Sequence, residues 1–361
     1  MHHHILPTVC LLTFGAALPT AGQAQVVNIQ DGGFSFTFGG QINQGVLFAD
    51  DGVETNSFWV DNDNSSTRLR ARAAYDFGTY VVGALIEYEF EFNSTAVVNQ
   101  LVPNQSFSVS NERKFELFAE TPYGKFSYGQ GDTASNGTSE VDLSGTGVIG
   151  YSGVADLAGG MLFRDQAGTL TMQNVGGNFS NLDGNSRQER FRYDTPTLGS
   201  GFVVSASAGE DDRNGVAVNY NNDFGDFTFA SAISYNERQG ADRMNGSVSV
   251  KHTPTGISVT FASGSDDLDD NSRDPGFNYV KVGYERDFFD FGSTALSVDY
   301  YDGEDIASLG SNSDSFGVQV VQNIDRYNLE IYGGYRSYSA SSATESFQDV
   351  DALLIGARYK F

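Results

Sequence analysis

The sequence predicts an all-β fold, a transmembrane antiparallel β-barrel of about sixteen strands. Three observations predict it. Apolar and polar side chains alternate through most of the chain, tight turns take turns with long polar loops, and the last segment alternates without a break to a terminal phenylalanine. A strand sends successive side chains to opposite faces, so a strand held between lipid and water must alternate in this way.

The alternation begins early. From Phe34 to Phe48 the even positions are Phe34, Phe36, Phe38, Gly40, Ile42, Gln44, Val46 and Phe48, while the odd positions are mostly polar. Leu69, Ala71, Ala73, Tyr75 and Phe77 then alternate with Arg68, Arg70, Arg72, Ala74 and Asp76. Tyr80, Val82, Ala84, Ile86, Tyr88, Phe90 and Phe92 follow, interleaved with residues that include Glu87, Glu89 and Glu91. A soluble sandwich also alternates, but rarely in so many long segments with aromatic residues at their ends. Tyr220, Tyr235, Tyr284, Tyr300 and Tyr359 are therefore expected in aromatic girdles at the membrane interfaces.

The connections carry the second signal. Residues 77–79, 121–124, 222–226, 253–256 and 325–327 are short turns, most of them built on Gly, Pro, Asn or Asp. Residues 49–65, 93–112, 130–186, 264–278, 302–314 and 339–349 are long and polar. Short turns at one end and long loops at the other are the asymmetry of an outer-membrane barrel. Closure is required because lipid offers no partner to an open sheet edge.

No stretch reads as a linker, so one barrel domain is expected over residues 25–361. Before it, residues 5–18 are largely apolar and residues 21–25 read Ala-Gly-Gln-Ala-Gln. That is the pattern of a secretory signal peptide covering residues 1–24 and cut after Ala24, although His2, His3 and His4 stand where Lys or Arg is usual. Cys10, the one cysteine, falls inside it, so the mature chain is expected to fold without disulfides. No run of ~20 apolar residues offers a transmembrane helix. The formal charge of −25 argues against a nucleic-acid partner, since phosphates would be repelled. The same charge suits acidic loops in water and a pore that favours cations.

Arg68, Arg70 and Arg72 lie two residues apart, so they share one face of a strand whose other face is apolar. An arginine facing lipid costs ~2–4 kcal/mol near the midplane, which turns the trio toward the lumen. Three like charges need counter-charges. Glu87, Glu89 and Glu91 on the next strand are candidates, as are Asp132, Glu140, Asp142 and Asp156 on the long loop. Opposed charges across a pore set up a transverse field that screens solutes by charge and dipole.

The stretches Tyr128-Gly129-Gln130-Gly131-Asp132-Thr133-Ala134-Ser135-Asn136-Gly137 and Ser139-Glu140-Val141-Asp142-Leu143-Ser144-Gly145-Thr146 resemble the start of the third loop of general-diffusion porins of Gram-negative bacteria, of the alphaproteobacterial, Rhodobacter-like type. The final Tyr359-Lys360-Phe361 resembles the insertion signal of bacterial outer-membrane proteins, with Tyr359 and Phe361 on one face. The resemblance implies a homotrimer in the outer membrane and a third loop folded into the lumen. It also implies a constriction where acids on that loop face bases on the wall. The family's basic positions fall on Arg68, Arg70 and Arg72, with Lys114, Arg190 and Arg192 as looser matches. The implied function is passive diffusion of ions and small hydrophilic solutes, and no cofactor is required.

Asp266, Asp267, Asp269 and Asp270 form a carboxylate run that offers oxygen ligands to calcium, or lies solvated on an external loop. Divalent cations there would bridge the loops to lipopolysaccharide phosphates. The rival functions are a substrate-specific channel, an outer-membrane phospholipase or protease, and an adhesive barrel with a plugged lumen. Nucleophilic catalysis needs a base near its nucleophile. The single histidine after the signal peptide, His252, precedes the short turn Thr253-Pro254, a poor place from which to act on outer-leaflet lipid.

Overall fold

The computed structural model describes residues 25–361 apart from Ser106 and Ser108, with the backbone alone for Gln25, Val109 and Ser110. The expected signal peptide lies outside the described residues. The chain opens with β1 (Gln25–Asp31), β2 (Phe34–Asp50), β3 (Thr55–Asp61), β4 (Arg68–Asp76), β5 (Val81–Glu91), β6 (Val109–Thr121) and β7 (Gly124–Asp132). A long inner loop, residues 133–186, follows and contains the hairpin β8 (Leu162–Arg164) and β9 (Leu170–Asn174) and the one-turn helix α1 (Val175–Asn178). The wall resumes with β10 (Arg187–Asp194), β11 (Phe202–Gly209), β12 (Asn214–Phe224), β13 (Phe227–Arg238) and β14 (Ala241–His252). It ends with β15 (Ile257–Leu268), β16 (Gly276–Phe289), β17 (Gly292–Glu304), β18 (Asn312–Ile324), β19 (Leu329–Ser341) and β20 (Val350–Lys360).

Sixteen of these strands close a single antiparallel barrel: each pairs with the next along the wall, and β20 pairs back onto β2. β2 is the seam strand. Its first half pairs with β4 on one side and β1 on the other, and its second half with β3 and β20. β1 therefore continues the wall just below the end of β20. At that junction Gly40 N–H donates to the Phe361 carbonyl at 2.7 Å, and Phe361 N–H donates to Gly40 at 3.0 Å.

The alternation sorts side chains between membrane and interior. Ile42, Phe48, Ile86, Phe115, Leu117, Val218, Val259, Val280, Val318 and Ile355 are exposed on the outer wall. At the short-turn end aromatic rings meet in series, including Tyr75 with Phe77, Phe77 with Tyr80, Phe202 with Tyr220, and Tyr359 with Phe361. Tyr235 and Tyr300 are exposed toward the long-loop end. These rings form the two girdles.

The interior departs from simple alternation along one arc. Leu47, Phe58, Phe277, Tyr279, Tyr301, Tyr332, Tyr338 and Leu354 point inward and are buried against Val148, Ile149, Val154, Leu157, Met161, Phe163 and Phe179 of the inner loop. The barrel thus holds a true apolar core between loop and wall. β2, β3 and β16–β20 need apolar side chains on both faces there, because one meets lipid and the other meets the loop.

Deleting Phe361 removes both hydrogen bonds at the seam and one ring of the girdle. Folding yield into lipid vesicles is expected to fall severalfold, while the conductance of each inserted pore stays unchanged. Equal yield by heat-modifiability on gels would show that the terminus does not direct closure.

Candidate functional site

The inner loop is fastened to the wall by a series of small polar side chains that alternation sends into the lumen. Ser207, Ser247 and Ser249 accept from the backbone N–H of Ala134, Val141 and Leu143 at 2.9, 2.9 and 3.0 Å. The Thr138 hydroxyl meets Ser234 at 2.9 Å and the Thr146 hydroxyl meets Ser297 at 2.7 Å. The buried Lys281 ammonium donates to Asp142 at 2.7 Å and to the Gly150 carbonyl at 2.6 Å. Further round, the Tyr338 hydroxyl donates to Val154 O at 2.7 Å, Asn62 to Val148 O at 2.8 Å and Thr95 to Asp156 O at 2.6 Å. The loop can lie this close because two wall positions are glycine. A Cβ on Gly283 would stand 2.6 Å from Ser144, and one on Gly334 2.6 Å from Ile149. The loop follows the wall from β11 through β19 to the first half of β20 and to β2 and β3, and leaves open the arc of β4–β7, β10 and the end of β20.

That open arc is basic, and most of its cations are already engaged. Arg113 bridges Glu87 at 2.8 Å and also Glu89, while Arg68 lies 3.9 Å from Glu87. Arg72 reaches Glu120 at 3.4 Å and stacks over the Phe118 ring at 4.6 Å. Lys114 and Arg187 share Asp132, and Arg190 pairs with Glu116. Arg192 pairs with Asp194 at 2.8 Å, and Arg358 and Lys360 share Glu330 at 2.5 and 2.6 Å. Arg70 stands between Arg68 and Arg72 and has no hydrogen bond or ion pair among the described residues. Lys125 on β7 also lacks an ion pair among the described residues and lies over the Phe118 ring at 5.4 Å, so Arg70 is the cation of the arginine trio left to the lumen.

Opposite stand carboxylates of the inner loop without a cation in contact. Glu140 accepts from Asn181 at 3.1 Å, and Asp183 accepts from Gly137 N–H at 2.6 Å and Ser139 N–H at 3.0 Å. Asp156 accepts from the Tyr151 hydroxyl. Burial, and then the carboxylates of Asp183 and Asp156, hold Glu140 well above the usual carboxylate range. Burial, with Asp63 beside it, pushes Asp156 up to about 8. Burial also raises Asp183, against its two backbone donors and the charges of Arg243 and Arg187.

Several residues singled out from the sequence take other places. Glu87 and Glu89 sit on the basic wall itself, where they neutralise Arg113, rather than on the opposing side. Asp142 is spent on Lys281 and anchors the loop. Asp132 belongs to the end of β7 and serves Lys114 and Arg187. The carboxylate run does not converge. Asp266 turns inward to Arg243 at 2.6 Å, Asp267 is exposed, and Asp269 and Asp270 lie in the turn beyond. No group of three or more metal-ligating side chains comes together among the described residues.

Sequence reasoning missed Arg113, Arg187, Asp183, Arg358 and Lys360 as members of the constriction. Arg113 was hidden by a bulge that slips the register between Glu87/Lys114 and Tyr88/Glu112 and so breaks the period of two. Asp183 had no periodic signal, because it lies in the irregular return of the loop. Arg358 and Lys360 were legible as the polar face of the last strand, and only the closure of β20 onto β2 brings Arg358 to Ser65 at 2.6 Å, beside the arginine trio.

A closed barrel with an anchored inner loop and a charged gap defines a channel of the outer membrane. Residues 11–360 match the family model described as Gram-negative porin, and the chain belongs to that family. No curated protein sequence matches it. Among solved structures, the anion-selective porin from Comamonas acidovorans is similar at TM-score 0.64 and 16% identity, covering 91% of this chain and 100% of that one. Outer-membrane expressed OmpT of Vibrio cholerae is similar at TM-score 0.61 and 15% identity, over 93% of this chain and 100% of that one. A porin of Rhodopseudomonas blastica carrying three substitutions is similar at TM-score 0.52 and 12% identity, over 90% and 100%. The protein is an outer-membrane β-barrel channel for passive diffusion.

The raised acids give the site a pH signature. A carboxyl with a pKa near 8 is neutral below that pH and charged above it. Preference for cations is therefore expected to grow as pH is raised from 6 to 9, and Asp156→Asn should flatten the change. Reversal potentials across a potassium chloride gradient at each pH measure it.

Proposed function

We propose that the channel is a weakly cation-selective, trimeric pore for ions and small polar solutes, and that it has no catalytic activity. The observation that carries the selectivity is the unequal pairing across the gap. The loop carboxylates Glu140, Asp156 and Asp183 have no contacting cation, whereas on the wall facing them only Arg70 and Lys125, the latter over the Phe118 ring near the short turns, are without an ion pair among the described basic residues. Acidic loops at the mouth add a long-range preference that fades over ~8 Å at physiological salt. The name of the Comamonas relative speaks for that protein, and a net charge of −25 argues for the opposite sign here. Arg70→Ala is expected to strengthen cation preference, and Glu140→Gln with Asp183→Asn to move the pore toward anions at alkaline pH, where the raised loop carboxyls are charged, with little effect at acidic pH. If neither variant moves the reversal potential, the gap between loop and wall does not select ions.

The trimer reading rests on the loop between β5 and β6. Leu101 and Phe107 are 61% and 56% exposed, and Val102 is exposed beside them, at a place where a second copy would cover them. One of the Vibrio cholerae neighbours is described as a trimer form, which supports the same reading. Light scattering in mild detergent is expected to give three protein chains per particle, and a monomer would refute it. Against catalysis, His252 sits at the short-turn end, where its ring nitrogen meets the Thr255 hydroxyl at 2.8 Å and its ring packs beside Phe227.

A further inference from the structure

The membrane face of β10–β13 carries a notch. β11 presents Phe202, Val204, Ala206 and Ala208 outward, so its side chains shrink toward the long-loop end. Ala206 is flanked by Tyr193 and Val216, and Ala208 by Phe191 and Asn214. Tyr235 stands beside Val216 on the far side. The resulting groove of about 370 Å³ is walled by Phe191, Tyr193, Val216 and Tyr235, with the two alanines as its floor. Many other outward side chains of the wall are large, Val, Ile, Leu and Phe among them.

The mouth of the groove is polar and acidic. Glu189 stands two residues above Phe191, and Glu237 accepts from Asn214 at 3.4 Å. The Tyr235 hydroxyl is held by Asp242 at 2.7 Å. The turn above adds Glu210, Asp211 and Asp212, against Arg213, which lies 3.6 Å from Asp211, and Arg238 at the end of β13, which leans to Asp266 at 4.0 Å.

We infer that this groove seats one acyl chain of an outer-leaflet lipid whose headgroup carries an ammonium. The groove is continuous with the lipid-facing band of the barrel, so an occupant reaches it from within the membrane. Its apolar walls suit a hydrocarbon chain, whose burial is favourable in proportion to area. Its acidic mouth fixes the headgroup by charge: an ammonium gains charge-assisted hydrogen bonds to Glu189 and Glu237, whereas an anionic headgroup meets like charges. This site is separate from the lumen and stands whether or not the selectivity reading holds.

The test is native mass spectrometry of the full chain, refolded in detergent and offered phosphatidylethanolamine, phosphatidylglycerol, or lipid A with magnesium. The unaltered chain is expected to retain phosphatidylethanolamine several-fold more than the other two. Ala206→Leu with Ala208→Leu fills the groove and should remove most of that retention, while Val280→Leu and Val318→Leu on the far wall should not. Glu189→Gln with Glu237→Gln should erase the preference over phosphatidylglycerol. Single-channel conductance, recorded on the same preparations, should be unchanged in all variants and reports correct folding. Equal retention of phosphatidylglycerol, preferential retention of lipid A, or full retention by a conducting groove-filled variant would each overturn the proposal.

Discussion

Lipid cannot accept or donate a hydrogen bond, and the rest of this structure follows from that. Every backbone N–H and C=O at membrane depth must find a partner inside the protein. A sheet meets the demand only by closing on itself, and this one does so where β20 returns to β2 and the terminal Phe361 bonds to Gly40. Closure separates an outer face in hydrocarbon from an inner face around water. The side-chain period of two then sends apolar residues one way and charges the other. The ion pairs of β4–β7 and β10 face the lumen for that reason.

A closed barrel is only a tube, and it becomes selective through the inner loop. The loop is anchored in two ways. Its apolar residues bury against the inner faces of β2, β3 and β16–β20. Its backbone and hydroxyls are read by Ser207, Ser247, Ser249, Ser297 and Lys281. The arc the loop covers is therefore a packed core, and the arc it leaves is lined by ionised side chains. Breaking a buried pair such as Lys281–Asp142 typically costs about 3–5 kcal/mol, so the loop is held against the wall as part of the fold. The gap has fixed walls of opposite character: a basic arc whose charges largely cancel among themselves, and a loop whose carboxylates face it without contacting cations.

Much of this was legible in the sequence because the decisive signals are local. The alternation of β2, β4 and β5, the glycine- and proline-marked turns and the lumen-facing arginine trio each follow from spacing along a single strand. What could not be read required knowing which strands lie across from one another. Leu47, Tyr279 and Tyr332 look like breaks in the polar face until the inner loop is seen packing on them. Glu87 and Glu89 looked like opposing acids, and strand pairing puts them beside Arg113 instead. Asp142 looked like a constriction acid, and a lysine from β16, far along the chain, claims it. Asp266 looked like one of four calcium ligands, and Arg243 on the neighbouring strand turns it inward.

The central claim is that solutes pass between Arg70 on one side and Glu140 and Asp183 on the other. Arg70→Cys and Glu140→Cys, each made in the chain whose Cys10 is replaced by Ser, place a thiol at either edge of that gap. Adding a bulky charged thiol reagent to single open channels is expected to cut the conductance of both variants sharply, and to leave Val318→Cys on the outer wall unchanged. Full conductance of both gap variants after complete labelling, confirmed by mass, would contradict the account, because the permeating path would then lie elsewhere in the barrel.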